Sequence, residues 1–180
     1  MADPKSFDPD TVPIKPAATV MLLDDLPDLH VLMVRRTARM VFAPDMWVFP
    51  GGRVDPEDHA DDFEALFSGL TDVQASQMLD VKCGGLAWWL AAYRETLEEA
   101  GLLLATAYGS TRDVRKLREA VRKDESVFAD LLLNEQVILD ATAVEEVARF
   151  VTPIGAPRRF DARFFVAEFP PGQKPDHDPS

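Results

Sequence analysis

The segment GGLAWWLAAYRETLEEAG, residues 84 to 101, constrains this chain more than any other. Two glycines open it, Ala and Leu fill it, and Gly101 stands where a helix would end, so the pattern predicts one continuous helix. On that helix Leu86, Trp89, Leu90, Tyr93, Leu97 and Ala100 share the side expected to face a core. Glu95, Glu98 and Glu99, spaced three and four apart, meet on another. Carboxylates crowded on one stripe repel by about 0.2–0.5 kcal/mol per exposed pair, and by more when partly buried. Something cationic should offset them. Arg94 reaches Glu98 one turn on, which leaves Glu95 and Glu99 facing a place suited to a hard divalent cation such as Mg²⁺, an ion that takes oxygen ligands and keeps several waters. The same residues also describe a solvated helix face laced with salt bridges, and the helix alone does not separate the two.

The remaining text limits what such a helix could serve. The chain's 180 residues suit one domain with a sizeable core. Acids outnumber bases 31 to 19, a net charge of −12 that repels nucleic acid and anionic lipid, so neither is expected as a partner. The single Cys83 makes no internal disulfide, and no apolar run has the length of a membrane span or signal peptide; a cytoplasmic location is expected. The first 16 residues, rich in Pro and Asp, are expected to form a loose arm, and residues 170–180 a disordered tail. Between them, 17–23 and 29–36 suggest a strand pair, 46–52 a short strand stopped by Pro50 and the glycines, and 148–169 two more strands around a Pro/Gly loop. Short amphipathic pieces lie between residues 59 and 80, and residues 111–134 suggest one or two further helices.

What gives the glutamates a function is the VFPGGRVDPED stretch upstream, because adjacent glycines let a ligand approach the backbone closely. Gly52, five residues, an acid at Asp58, and then Arg94, Glu95, Thr96, Leu97, Glu98, Glu99, Ala100, Gly101 and Leu102 resemble the signature of the Nudix hydrolases. That signature runs Gly, five residues, Glu, seven residues, then Arg-Glu-aliphatic-x-Glu-Glu-x-Gly-aliphatic. Three positions depart: Asp58 replaces Glu, Thr96 replaces an aliphatic residue, and 35 residues separate Asp58 from Arg94. An insertion inside the signature, after FPGG and DP, is similar to a subgroup that resembles the peroxisomal coenzyme A diphosphatases.

The resemblance implies an α/β fold, a Nudix-type α/β/α sandwich with a mixed sheet over residues 17–169, a helical insertion at 59–83 and an apparently shortened C-terminus. The insertion would lid the site or contact a second subunit, which leaves a homodimer open. It implies a Mg²⁺- or Mn²⁺-dependent hydrolase cleaving a diphosphate linkage, with coenzyme A or acyl-coenzyme A the first candidate substrate. Glu95, Glu98, Glu99 and the Gly52 backbone would hold the metal, Arg94 would keep the carboxylates in register, and Glu95, Glu98 or an outside acid (Glu145, Glu146 or Glu168) would act as base. Arg35, Arg36, Arg53 and Trp88 are the candidate substrate contacts, with Arg39, Arg158 and Arg159 as further cations; Trp47 and Trp88 could each stack on an adenine or line an acyl pocket, ordinary packing being the better expectation for both. The alternatives are a diphosphatase for ADP-ribose, NADH or nucleoside triphosphates, and a non-catalytic nucleotide-sensing module.

Overall fold

The computed structural model describes residues 11–25, 27–36, 45–59, 61–104 and 114–176. Its centre is a mixed sheet built on β1 (Ile14–Asp24), whose two-residue alternation buries the apolar Ala18, Val20 and Leu22. β9 (Arg159–Glu168) runs parallel to β1 over ten residue pairs, from Ile14↔Arg159 to Leu23↔Glu168. β8 (Val144–Val151) extends the sheet antiparallel to β9. On its other side β1 pairs with two short strands, β2 (His30–Val31) near its end and β5 (Gly51–Arg53) near its start. β3 (Val34–Arg35) and β4 (Trp47–Val48) form a separate two-stranded ladder. The FPGG glycines therefore do not stop a strand: they are one, with Gly51 and Gly52 opposite Thr19 and Ala18.

Helix α2 (Leu86–Ala100) lies across the buried face, Trp89 meeting Phe165 of β9 edge-on with ring centroids 5.0 Å apart. Gly101 ends the helix in the left-handed region, φ 68°, donating to Leu97 O. The helix is buried nearly all round rather than on one stripe, because α1 (Asp72–Leu79) and α3 (Val114–Lys123) pack against it, with α4 (Phe128–Asn134) packed on α3. Thr96, fully buried at an aliphatic position, satisfies its hydroxyl on Ala92 O at 2.8 Å.

The insertion is bolted to the rest of the domain, and none of its described residues lines the cleft beside the acids. β6 (Phe67–Ser68) pairs in parallel with β7 (Leu139–Asp140), and Tyr93 donates its hydroxyl to Asp140 O at 2.6 Å. The helix has no capping side chain of its own at Gly85; Asp72 of α1 supplies one, accepting from Gly84 N at 2.9 Å and Leu86 N at 3.0 Å.

Among the described residues, structure extends into both segments expected to be loose. β1 begins at Ile14, inside the supposed arm. In the supposed tail, the Gln173 amide bonds both backbone groups of Leu103, and Asp176 N donates to Ala100 O at 2.8 Å. Among the described residues no helix is long and apolar enough to cross a membrane.

Trp89 joins the layers most tightly, its fully buried indole donating to Ala141 O and Val144 O at 3.1 and 2.9 Å. Trp89→Phe keeps most of the ring volume but removes the donor from two buried carbonyls. It should lower unfolding free energy by about 1–3 kcal/mol, measured as a reduced denaturant midpoint at unchanged slope.

Candidate active site

Arg94 is the hub. Only 1% exposed, its guanidinium grips Asp58 with two prongs, Nε to Oδ1 at 3.2 Å and Nη2 to Oδ2 at 3.0 Å. Nη2 also donates to Arg53 O at 3.0 Å and to Asp55 at 3.3 Å, while Nη1 donates to Glu95 at 3.0 Å and Glu98 at 3.1 Å. Asp58, held in turn by Asp55 N at 2.9 Å, occupies the place of the signature's first acid and serves as this clamp. Burial pushes its carboxyl up, against the lowering pull of Arg94. The same neighbours hold Arg94 above its ordinary value despite its burial.

Beside this hub, α2 meets the β5 edge of the sheet. A Cβ on Gly52 would stand 2.1 Å from Glu95 Oε1, so only glycine admits that carboxylate. Gly51 N donates to Glu99 Oε2 at 3.0 Å. Burial, with Glu98 and Glu99 nearby, pushes Glu95 up to about 8 although Arg94 pulls it down; burial and Glu125 push Glu98 up to about 7 against the same pull. Arg118 of α3, invisible as a site residue in the sequence, secures the helix end by donating to Glu98 O at 3.0 Å.

These groups border a cleft of about 730 Å³ that runs from Glu95 and Glu99 over the glycines onto the open face of the sheet. Ala17 and Thr19 of β1, Phe160, Ala162 and Phe164 of β9, and Phe150 of β8 share that face by register. Arg36, Arg53 and Arg158 bring positive charge, Arg36 lying 3.9 Å from Glu99.

Several expected residues lie elsewhere. Glu98 does not line the cleft; it faces Arg94. Arg35 pairs with Asp45 at 2.6 Å outside the cleft. Trp88 is buried against His59, 6.0 Å between centroids, and cannot stack on a ligand in the cleft; Trp47, expected to pack, is 60% exposed. Glu145, Glu146 and Glu168 are absent from the lining, Glu146 pairing with Arg163 at 3.5 Å. Arg39 lies outside the described residues, and Arg159 stands just beyond the cleft. Glu125, which follows α3, does line the cleft, 3.7 Å from Arg94. Its approach depends on how α3 turns back onto α2, which no local pattern announces. The three phenylalanines were equally unmarked, whereas Asp55 belongs to the DP that precedes the insertion. Among the described residues no three metal-binding side chains stand already gathered around one point.

A family model described as the NUDT19 Nudix domain matches residues 14–178. The chain belongs to that Nudix family. It is similar to the Acyl-coenzyme A diphosphatase NUDT19 of Xenopus laevis, 27% identical over 178 residues that cover 77% of this chain and 47% of that protein. The Homo sapiens protein of the same name is 26% identical over 188 residues, covering 82% and 50% respectively. The chain thus spans about half the length of these curated relatives. Among solved structures it is similar to a NUDIX hydrolase from Alicyclobacillus acidocaldarius, with TM-score 0.75 and 28% identity over 93% of this chain and 75% of that one. In this Nudix domain the 35-residue gap in the signature is therefore spanned by packed structure, and Asp58 still reaches Arg94.

The raised Glu95 carboxyl sets a pH dependence. Its folded value of about 8 exceeds the ordinary 4.5, so between those limits the native state binds the proton more tightly than the unfolded chain. Its contribution to stability therefore declines as pH rises from about 4.5 to about 8 and is flat above. Melting temperatures of the metal-free protein across that range should fall less steeply in Glu95→Gln than in the parent; equal slopes would contradict the assignment.

Proposed function

We propose that this domain hydrolyses the diphosphate linkage of coenzyme A or an acyl-coenzyme A with the help of a divalent cation. The observation that carries the reading is the convergence, in one cleft, of Glu95 and Glu99 on the Gly51–Gly52 edge with Arg36, Arg53 and Arg158. The names of the relatives direct it to the coenzyme A class.

The donor set fits Mg²⁺ or Mn²⁺. Glu95 and Glu99 are hard oxygen donors, and the Gly52 cradle brings the Glu95 carboxylate against the backbone as no other residue could. Two carboxylates suffice for an ion that retains several waters. Burial, with Glu98 and Glu99 adding to it, pushes Glu95 up to about 8, and a cation beside the carboxylate would oppose both effects. When bound, the ion supplies polarisation of a water and of phosphoryl oxygens. Arg36, Arg53 and Arg158 would bind the diphosphate oxygens and orient the phosphorus toward the acids. We assign the proton of the attacking water to the Glu125 carboxylate, which borders the cleft 3.7 Å from Arg94 Nη1, the atom that also holds Glu95.

The test is product release, resolved by mass, from coenzyme A, acetyl-coenzyme A, ADP-ribose, NADH and nucleoside triphosphates, with Mg²⁺ or Mn²⁺ and an EDTA control. Metal-dependent cleavage of the coenzyme A compounds is expected. Preference for ADP-ribose, NADH or triphosphates would replace the substrate class, and binding without any turnover would make the domain a sensor.

Glu99→Gln should lower kcat/KM at least about 100-fold with the fold retained. Glu125→Gln should lower kcat by about 100-fold while leaving calorimetric Mn²⁺ affinity unchanged; a matching loss of Mn²⁺ affinity would make Glu125 a ligand instead.

A further inference from the structure

The cleft continues past Arg53 into a second hollow of about 450 Å³. Arg53, Arg158 and Phe160 wall both, so one molecule can reach from one into the other. Their linings differ in kind. The cleft mixes arginines with Asp55, Glu95, Glu99 and Glu125, whereas the hollow's described lining carries four cations, Lys15, Arg53, Arg158 and Arg159, and no carboxylate. Composition does not predict such a wall in a chain where acids outnumber bases 31 to 19.

The sheet assembles it. Ile14 stands opposite Arg159 and Lys15 opposite Phe160 on the parallel ladder, while Ala17 stands opposite Arg53 on the antiparallel one. Lys15, Arg53 and Phe160 therefore share one face at this corner of the sheet, and Arg158 and Arg159 border it from the start of β9. Arg159 Nε is anchored on Thr152 O at 3.1 Å, which fixes one guanidinium at the rim, and Arg53 spans toward the cleft through Asp55 at 3.2 Å. A concave wall whose charged side chains are all cationic suits a compact dianion such as a phosphate monoester.

We propose that this hollow binds a phosphomonoester that the substrate carries in addition to its scissile diphosphate, so that the domain selects nucleoside diphosphate derivatives phosphorylated on the sugar. The inference rests on the cleft being the diphosphate site. Lys15, exposed and outside the cleft, is its specificity residue.

Two measurements on the full chain test it separately from that reading. In calorimetry at low salt, adenosine 3',5'-bisphosphate should bind about tenfold more tightly than adenosine 5'-monophosphate. The advantage should vanish in Lys15→Ala and return in Lys15→Arg. In turnover, coenzyme A should exceed dephospho-coenzyme A in kcat/KM through a lower KM, and Lys15→Ala should remove the difference. Lys15-dependent preference for the bisphosphate with no coenzyme A hydrolysis would overturn the diphosphatase reading and leave the hollow standing. Equal kcat/KM for coenzyme A and dephospho-coenzyme A, equal affinity for the two mononucleotides, failure of both to bind at millimolar concentration, or an equal loss on both ligands in Lys15→Ala would each overturn the proposal.

Discussion

A buried guanidinium holds this molecule's acids in place. Arg94 has five donors in a rigid fork, and it spends them on Asp58, Asp55, Glu95, Glu98 and the Arg53 carbonyl. Those partners come from the β5 strand, from the turn that follows it and from α2 itself, so one side chain fixes the relative position of three segments. Removing one member of such a buried network leaves charges without partners, a state that costs about 3–5 kcal/mol elsewhere. Lysine could not replace it, since one ammonium cannot make a two-pronged contact and still reach the helix acids. The carboxylates of Glu95 and Glu98 are thus poised by an interaction below the surface that they present.

The sheet completes the arrangement by being unequal on its two faces. One face packs Ala18, Val20, Leu22 and Phe165 beneath α2, and the other presents Phe150, Phe160 and Phe164 to the cleft. At the β5 edge the missing side chains of Gly51 and Gly52 let the chemistry of the helix face communicate with the open face. Apolar wall, acidic edge and basic corner follow from the alternation of strand side chains and from two glycines.

Much of this was legible in the sequence, for identifiable reasons. The length, cap and acids of α2 were readable because helical periodicity and a left-handed glycine are local properties. Arg94 with Glu98 was readable for the same reason, being one turn apart. Burial all round α2 was not, since it depends on elements more distant in sequence that happen to pack there. Trp88 illustrates the difference: the sequence offered it as a substrate contact, but it is buried against His59. Glu125, Lys15 and Arg159 reach their places through the turn of α3 and the parallel pairing of β1 with β9, contacts that no short window contains. The insertion was visible as extra length, yet its role as a buttress depends on the β6–β7 ladder and on Asp72.

That last carboxylate changes what the insertion is. A helix whose first amides are capped from another helix, twelve and fourteen residues earlier in the chain, does not own its starting point. Shortening the insertion toward the seven-residue spacing of the signature would remove the cap together with the excess, so no smaller version of this domain is hidden inside the larger one. The amides at the start of α2 should therefore exchange with solvent in the same opening event as α1, as one foldon rather than two.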